Sequence, residues 1–331
     1  MKFSDAELMQ MAISAADKAR LHAPPNPWVG AVVVNGVGVV VGEGHTQVPG
    51  ESHAEVEALR RAGQDARGAT LVVTLEPCDH TGRSGPCTQA IIEAGVSRVV
   101  VGVLDPDPRV SGRGVEVLRA AGLDVEVGVE YDAVREQLAP YLWQRTTGRP
   151  YVVAKVASTL DGIVAMRDGT SQWITSSDTR RDAHVLRAQS QAIIVGAGTV
   201  RSDDPALTAR LDNIVLEPLR VVLGSAPAGA KVHPCLELSG DLESVLDTIG
   251  RLDVIQVLIE GGPTTVSAFL EAGLVNHVVW YVAPAFAGAR GTRGALEALS
   301  TETIDQLRRG RMVDARRIGE DVRIDVEVSW R

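Results

Sequence analysis

The sequence predicts two successive α/β domains, and three observations carry that prediction. The chain has 331 residues, which exceeds a comfortable single core and suits two domains of about 150 residues each. Short Val-rich runs alternate with stretches of helical period in both halves, the pattern of a mostly parallel sheet flanked by helices. The turn-rich stretch TTGRP interrupts this alternation near residue 147 and sets the expected domains at 1–147 and 148–331.

In the first half, residues 5–21 read as an amphipathic helix and HAPPNPW as a Pro-rich loop. Two Val-rich runs around Asn35-Gly36 predict a hairpin. HAEVEALRRAG has apolar positions at helical spacing and a stop at Gly63. TLVVTLEP is a short buried strand, CTQAIIEAG a helix closed by Gly95, VSRVVVGVLDP a strand, GRGVEVLRAAG a helix and LDVEVGV a strand. A helix over 132–145 precedes the boundary. In the second half, strands are expected at YVVAKVA, QAIIVGA, LRVVLG, DVIQVLIEG, HVVWYVAP and VRIDVEVS, and helices at 178–190, 241–250 and 264–273.

Composition narrows the function classes. Hydrophobic residues make up 45% and charged residues 23%, as in ordinary globular chains. The net charge of −9 argues against a nucleic-acid or anionic-membrane surface, which needs a basic face. It leaves room for an anionic small substrate held by a few arginines. No stretch approaches the ~18 consecutive apolar residues of a membrane span. The three cysteines, Cys78, Cys87 and Cys235, and a polar-interrupted N-terminal helix point to a reducing, cytoplasmic location.

His53, Cys78 and Cys87 lie close in sequence, with Glu55 two residues past the histidine. Zinc takes sulfur and imidazole in a tetrahedron, and a catalytic site supplies three protein ligands and leaves the fourth position to water. Bound water has a pKa near 7. No fourth ligand is evident in this half, which favours the catalytic type over a structural knot. Glu55, at a helix start, is placed to shuttle protons to and from that water. Taken singly, His53 reads as a surface histidine and each cysteine as a buried hydrophobe. Together, H-A-E followed by P-C and C form the signature of hydrolytic zinc deaminases. Eight residues, DHTGRSGP, separate the cysteines where C-x-x-C is usual, and they bring His80 and Arg83 to the rim. A His/Arg rim suits a phosphate, and a solvated loop is the competing reading.

PPNPWVGAVVV, HAEVEALRRAG and TLEPCDHTGRSGPC together resemble the deaminase half of the bifunctional riboflavin-biosynthesis deaminase/reductases. That resemblance implies a cytidine-deaminase-like αβα sandwich. It also implies hydrolytic removal of an amine from a diaminopyrimidine ribosyl phosphate, with Glu55 carrying the protons and Asn26 holding the ring. Many members have a histidine at the position of Thr46, whereas here His45 stands one place earlier.

In the second half, GAGTVR follows a strand but lacks the third glycine of a dinucleotide fingerprint, Arg201 standing there. IEGGPTT is a strand, a Gly-rich turn and a helix start, and bare amides there suit a phosphate. No Walker lysine accompanies it. Each turn alone reads as a tight strand–helix connection. Together SQWITS, LRAQS, DDPALTAR and EGGPT resemble the reductase half of the same family, so the resemblance covers about residues 5–330.

It implies a dihydrofolate-reductase-like domain with Ser171, Arg187, Leu207, Arg210 and Glu260 on the substrate. Arg187 and Arg210 would serve as phosphate clamps. NADPH would be held by Ala157, Trp173, Thr199, Asp203, Ser225 and the turn Gly262, Pro263, Thr264, Thr265, Val266, Ser267 and Ala268. Lys155 and Asp161 fall where substrate and nicotinamide should meet, and a surface ion pair is the competing reading. The segment 226–257 is shorter than in many members, with ELSGD as the remnant of an extra strand. His233 and Cys235 fall in it and read as structural.

The leading expectation is a bifunctional enzyme using Zn2+ and NADPH. It would deaminate 2,5-diamino-6-ribosylamino-4(3H)-pyrimidinone 5′-phosphate, then reduce 5-amino-6-(5-phosphoribosylamino)uracil to the ribitylamino product. A deaminase with a degenerate reductase half is the alternative. A non-enzymatic zinc-stabilised nucleotide-binding protein and a nucleic-acid deaminase are further readings. Its partners are expected to be phosphorylated pyrimidine ribosylamines and further copies of itself, a homo-oligomer being the common case.

Overall fold

The computed structural model describes residues 3–80, 85–108, 110–211, 216–288, 290–297 and 299–328. The chain divides into two compact units, Met1–Thr147 and Gly148–Arg331.

The first unit runs α1 (Asp5–Asp17), β1 (Gly30–Val34), β2 (Val40–His45), α2 (Ala54–Ala62), β3 (Thr70–Leu75), α3 (Cys87–Ala94), β4 (Arg98–Val103), α4 (Arg113–Ala120), β5 (Asp124–Val127), α5 (Tyr131–Gln137) and α6 (Ala139–Thr147). Its sheet has the order β2-β1-β3-β4-β5. The hairpin partner β2 and the β1–β3 pair are antiparallel, and β3, β4 and β5 are parallel. β1 is buried along its whole length, and residues 2–6 of β3 and β4 are too, because helices cover both faces. The expected helix over 132–145 is two helices broken at Leu138. Pro140 has no N–H to donate to the carbonyl four residues back, so the helical ladder is interrupted there. The first helix ends at Asp17, earlier than expected, and turns follow toward Pro24-Pro25.

The second unit runs β6 (Tyr151–Thr159), β7 (Ile163–Ala165), α7 (Ser177–Gln189), β8 (Ala192–Gly196), α8 (Ala197–Asp203), β9 (Leu219–Leu223), β10 (Leu236–Leu238), α9 (Leu242–Gly250), β11 (Gln256–Ile259), α10 (Pro263–Glu271), β12 (His277–Ala283), β13 (Arg293–Gly294), β14 (Gly310–Ile318) and β15 (Asp321–Val328). Its main sheet has the order β10-β9-β8-β11-β6-β12-β15-β14. All pairs are parallel as far as β12; β15 and β14 close the sheet antiparallel. Side chains alternate between two cores. Val152, Ala154 and Val156 of β6 and Ile194 of β8 enter one, whereas Val153 and Ile193 enter the other. The strand remnant expected near ELSGD is β10, three residues paired to β9 at the sheet edge.

Candidate active sites

In the first unit, α2 lies directly on β2. A Cβ at Gly44 would stand 2.2 Å from the Ala54 carbonyl oxygen, so only glycine allows this approach. The contact fixes the start of α2. His53 is its N-cap, and Glu55 is in its first turn, buried to 4% exposure. Cys87 opens α3, and Cys78 follows β3. The His53 Nδ1 stands 3.2 Å from Cys87 Sγ and 3.6 Å from Cys78 Sγ. All three donor atoms lie within 4.8 Å of one another. Zinc–nitrogen and zinc–sulfur bonds of about 2.0 and 2.3 Å at a tetrahedral angle separate N from S by about 3.5 Å, so this donor set fits a zinc ion.

The electrostatics suit that metal. Burial raises the Glu55 carboxyl, an effect that outweighs the attraction of His53. The Cys87 thiol donating to Cys78 pulls the Cys78 thiol down to about 4, while Cys87 itself is pushed up. His53 rises to about 9, chiefly through its hydrogen bond with Cys78. A divalent cation bound by this set would displace thiol protons.

The strand end that carries Cys78 is braced by Glu76. Its buried carboxylate accepts the amides of Asp105 (3.2 Å), Gly112 (2.9 Å) and Val115 (3.3 Å). Asn26 is half-buried in the turn before β1. The His80 Nδ1 is shielded from solvent and has no hydrogen-bond partner among the described residues. Arg83 lies outside the described residues. The Thr46 hydroxyl accepts the Val29 amide at 3.0 Å, which ties the end of β2 to the start of β1.

The second unit opens a cavity of about 760 Å³ along the carboxyl ends of its parallel strands. All five expected substrate residues, Ser171, Arg187, Leu207, Arg210 and Glu260, line it. So do Ala157, Trp173, Thr199, Asp203, Gly262, Pro263, Val266 and Lys155. Ser225, Thr264, Thr265, Ser267 and Ala268 are not among its lining residues. Thr265 backs the glycine turn instead: a Cβ at Gly261 would stand 2.5 Å from the Thr265 Cβ. Ser267 is fully buried in α10. The Thr199 hydroxyl accepts the Gly262 amide at 3.2 Å and joins the two turns. The start of α10 beside this cavity carries the positive end of the helix dipole and a side-chain-free Gly261–Gly262 turn, which suit a dinucleotide pyrophosphate, so the residues present fit NADPH.

Two expectations change in detail. Arg187 does not hold its fork free for a phosphate. Its Nε and Nη2 donate to the Glu260 carboxylate at 2.6 and 2.8 Å, and its Nη1 donates to the Thr208 carbonyl at 3.0 Å. Arg210 remains the guanidinium at the rim, with Nε donating to the Thr208 hydroxyl at 3.3 Å. Asp161 does not line the cavity. It is a surface clasp that accepts the Thr159 hydroxyl and the amides of Ala287 and Gly288. Sequence reasoning also missed Arg180 and His184, which line the cavity from α7. Their spacing with Arg187, at i, i+4 and i+7, puts all three on one helix face and was the available signal. Arg180 stacks over the Trp173 ring at 4.6 Å. The His184 Nδ1 accepts the Arg210 amide at 3.2 Å, and burial followed by the two arginines lowers its pKa.

Residues 150–324 match the family described as RibD C-terminal domain, and residues 2–103 match the cytidine and deoxycytidylate deaminase zinc-binding region. The riboflavin biosynthesis protein RibD of Aquifex aeolicus is 40% identical over 348 residues, covering 96% of this chain and 97% of that one. The chain belongs to the RibD family. The Escherichia coli RibD is 37% identical, with 96% and 98% covered. Among solved structures, Acinetobacter baumannii RibD, form 1, superposes with a TM-score of 0.91 at 39% identity, covering 98% of this chain and 99% of that one. A diaminohydroxyphosphoribosylaminopyrimidine deaminase/5-amino-6-(5-phosphoribosylamino)uracil reductase from Thermotoga maritima gives 0.88 at 34% identity, with 98% and 99% covered.

The chain is therefore a bifunctional riboflavin-biosynthesis enzyme, a zinc-dependent hydrolase and an NADPH-dependent reductase acting on small pyrimidine substrates. The deaminase-only alternative finds no support in these full-length relatives. No helix among the described residues is long and apolar enough to cross a membrane.

Proposed function

We propose that residues 1–147 deaminate 2,5-diamino-6-ribosylamino-4(3H)-pyrimidinone 5′-phosphate, and that residues 148–331 reduce the resulting 5-amino-6-(5-phosphoribosylamino)uracil. The observation that carries the first half is Glu55, a buried carboxylate beside three convergent zinc donors. His53, Cys78 and Cys87 would hold the ion, which when bound would supply a water acidic enough to ionise near neutral pH. Glu55 would hold the transferred proton on its carboxylate and deliver it to the departing amine. Its raised pKa suits both directions of transfer. Asn26 and the His80 Nδ1, which has no hydrogen-bond partner among the described residues, orient the ring and its phosphate-bearing arm, with Arg83 as a further phosphate contact.

In the second half, NADPH supplies the hydride. Ala157, Trp173, Thr199, Asp203 and the Gly262 turn cradle the cofactor, with Ser225 on its adenosine side. Glu260, kept ionised by Arg187, fixes substrate hydroxyls. Ser171, Leu207 and Arg210 close around the ribose phosphate, and Lys155 stands where substrate and nicotinamide meet. We assign the protein to the cytoplasm and to homo-oligomers, and exclude nucleic acid as a partner on the strength of its −9 charge.

A two-channel assay tests this reading: ammonia release and NADPH oxidation on the diaminopyrimidine ribosyl phosphate, each with and without the other cofactor. Ammonia release without NADPH, and NADPH oxidation only after deamination, is the expected result. Ammonia with no NADPH oxidation overturns the reductase half. Silence in both channels from zinc-loaded protein overturns the substrate assignment.

A further inference from the structure

A second set of metal-ligating side chains converges in the other unit, far along the chain from the first. The donor atoms of His233, Cys235 and Glu237 lie within 4.8 Å of one another. Cys235 immediately precedes the edge strand β10 and Glu237 is its middle residue, so the two, spaced i and i+2, share one side of the chain. The imidazole of His233 sits against Cys235, with Nδ1 3.4 Å from Sγ.

Three details make this arrangement a ligand set rather than a chance cluster. The His233 Nε2 lies 3.1 Å from the Pro227 carbonyl oxygen. A carbonyl only accepts, so Nε2 carries the proton and the Nδ1 lone pair faces the sulfur. This is the second-shell contact that metal-bound histidines use to fix their tautomer. The N–S separation matches the spacing of about 3.5 Å between nitrogen and sulfur in tetrahedral zinc, and falls between the 3.2 and 3.6 Å of the deaminase donors. Finally, one Glu237 oxygen is anchored by the Ala226 amide at 2.9 Å, which holds the carboxylate in place and leaves its other oxygen for a cation.

We propose that His233, Cys235 and Glu237 form a second, surface site for a zinc-class divalent ion. The ion displaces the Cys235 thiol proton to solvent and leaves its remaining position to water. The site is open to solvent, so it binds more weakly than the buried set. Among the described residues no buried carboxylate stands beside it as Glu55 does beside the first, so its role is structural. Bound metal would brace the His233–Glu237 approach to β10, which the Ala226 amide and the Pro227 carbonyl already tie to the turn after Ser225.

The test is a Co2+ titration of the full-length, chelator-treated protein, followed by sulfur-to-cobalt absorption and by metal content after desalting. Wild type is expected to take two ions per chain, the second more weakly. Cys235→Ser and His233→Gln should each lose that second ion and keep the first. A Cys78→Ser/Cys87→Ser variant should keep one ion with a single-thiolate band. Both surface substitutions change exposed or half-buried groups, and circular dichroism checks their fold. Saturation of wild type at one ion per chain overturns the proposal, as does a second ion that persists in both Cys235→Ser and His233→Gln. Loss of the deaminase reading alone would leave this second equivalent unaffected.

Discussion

Glu55 and Glu260 are both buried carboxylates beside a reaction site, and their surroundings drive them apart. For Glu55, burial dominates and raises the pKa. For Glu260, burial pushes the same way, but the bidentate Arg187 pair and the nearby Lys155 outweigh it, and the group stays ionised. One arrangement suits a proton carrier, the other a fixed charge. Opposed environments of this kind separate acid–base roles from anchoring roles. Burial is common to both, so the partner decides the chemistry.

The largest effect should come from Glu55→Gln, which keeps the shape and removes the exchangeable proton. Ammonia release should fall by about 10²–10⁴-fold, the usual worth of a positioned acid–base group. Zinc content should be unchanged, and so should NADPH oxidation on substrate supplied already deaminated. A chelator should silence the same channel and spare the other. A Glu55→Gln enzyme that still releases ammonia at the wild-type rate would remove the proton-carrier half of the comparison.

The anchoring half breaks differently. Glu260→Gln or Arg187→Met leaves one buried charge without its partner, which costs about 3–5 kcal/mol. The double change Arg187→Met/Glu260→Met removes both charges and should recover much of that stability while reduction stays lost. Denaturant melts and NADPH oxidation measured on the same samples separate the two effects. Recovery of reduction in the double variant would make the pair a structural brace only. The pH dependence carries a sign. The folded Glu260 pKa is lowered, so its contribution is present above the unfolded value of about 4.3 and fades as pH falls through the folded value. Arg187→Met should therefore cost less stability under acid than at pH 7.

Glu55 gives the opposite sign. Its folded pKa is raised, so the folded state holds the proton more tightly, and stability falls as pH rises through the window between the two values. In zinc-free protein at pH 8, Glu55→Gln should raise the melting temperature. An unchanged or lower midpoint would mean that the carboxylate is better compensated than its burial indicates.

The two regions also differed in how much the sequence disclosed. The zinc donors occupy a short span, and the spacing of His53, Glu55, Cys78 and Cys87 declares the chemistry directly, because a metal accepts few residue types. The Val-rich strands were equally plain, being buried on both faces. The reductase cavity is assembled from β6, α7, the turns after β8 and β11, and the 205–210 loop, so no single window shows it. Residue types were readable there, but directions were not: nothing in LRAQS tells that Arg187 turns toward Glu260. β14 escaped for a physical reason. It is a charged edge strand with exposed residues on both sides, so it lacks the alternation that marks a strand. The very short β7 and the seven residues of α8 were too few for a period to show.

The smallest effect sharpens the comparison most, because sequence and geometry disagree about it. Sequence position made Lys155 and Asp161 equal candidates beside the nicotinamide. Lys155 lines the cavity and lends its charge to Glu260, whereas Asp161 holds the 285–288 loop from the surface. Lys155→Met should lower kcat/KM for reduction by about tenfold or more, the worth of a hydrogen bond to a charged group. Asp161→Asn keeps an acceptor oxygen for the loop amides and should change it by about twofold or less, as exposed substitutions usually do. Equal losses in the two variants would restore Asp161 to the reaction site. They would also require the loop clasp to open when substrate binds, which slowed proteolysis of the 285–288 loop in Asp161→Asn would argue against.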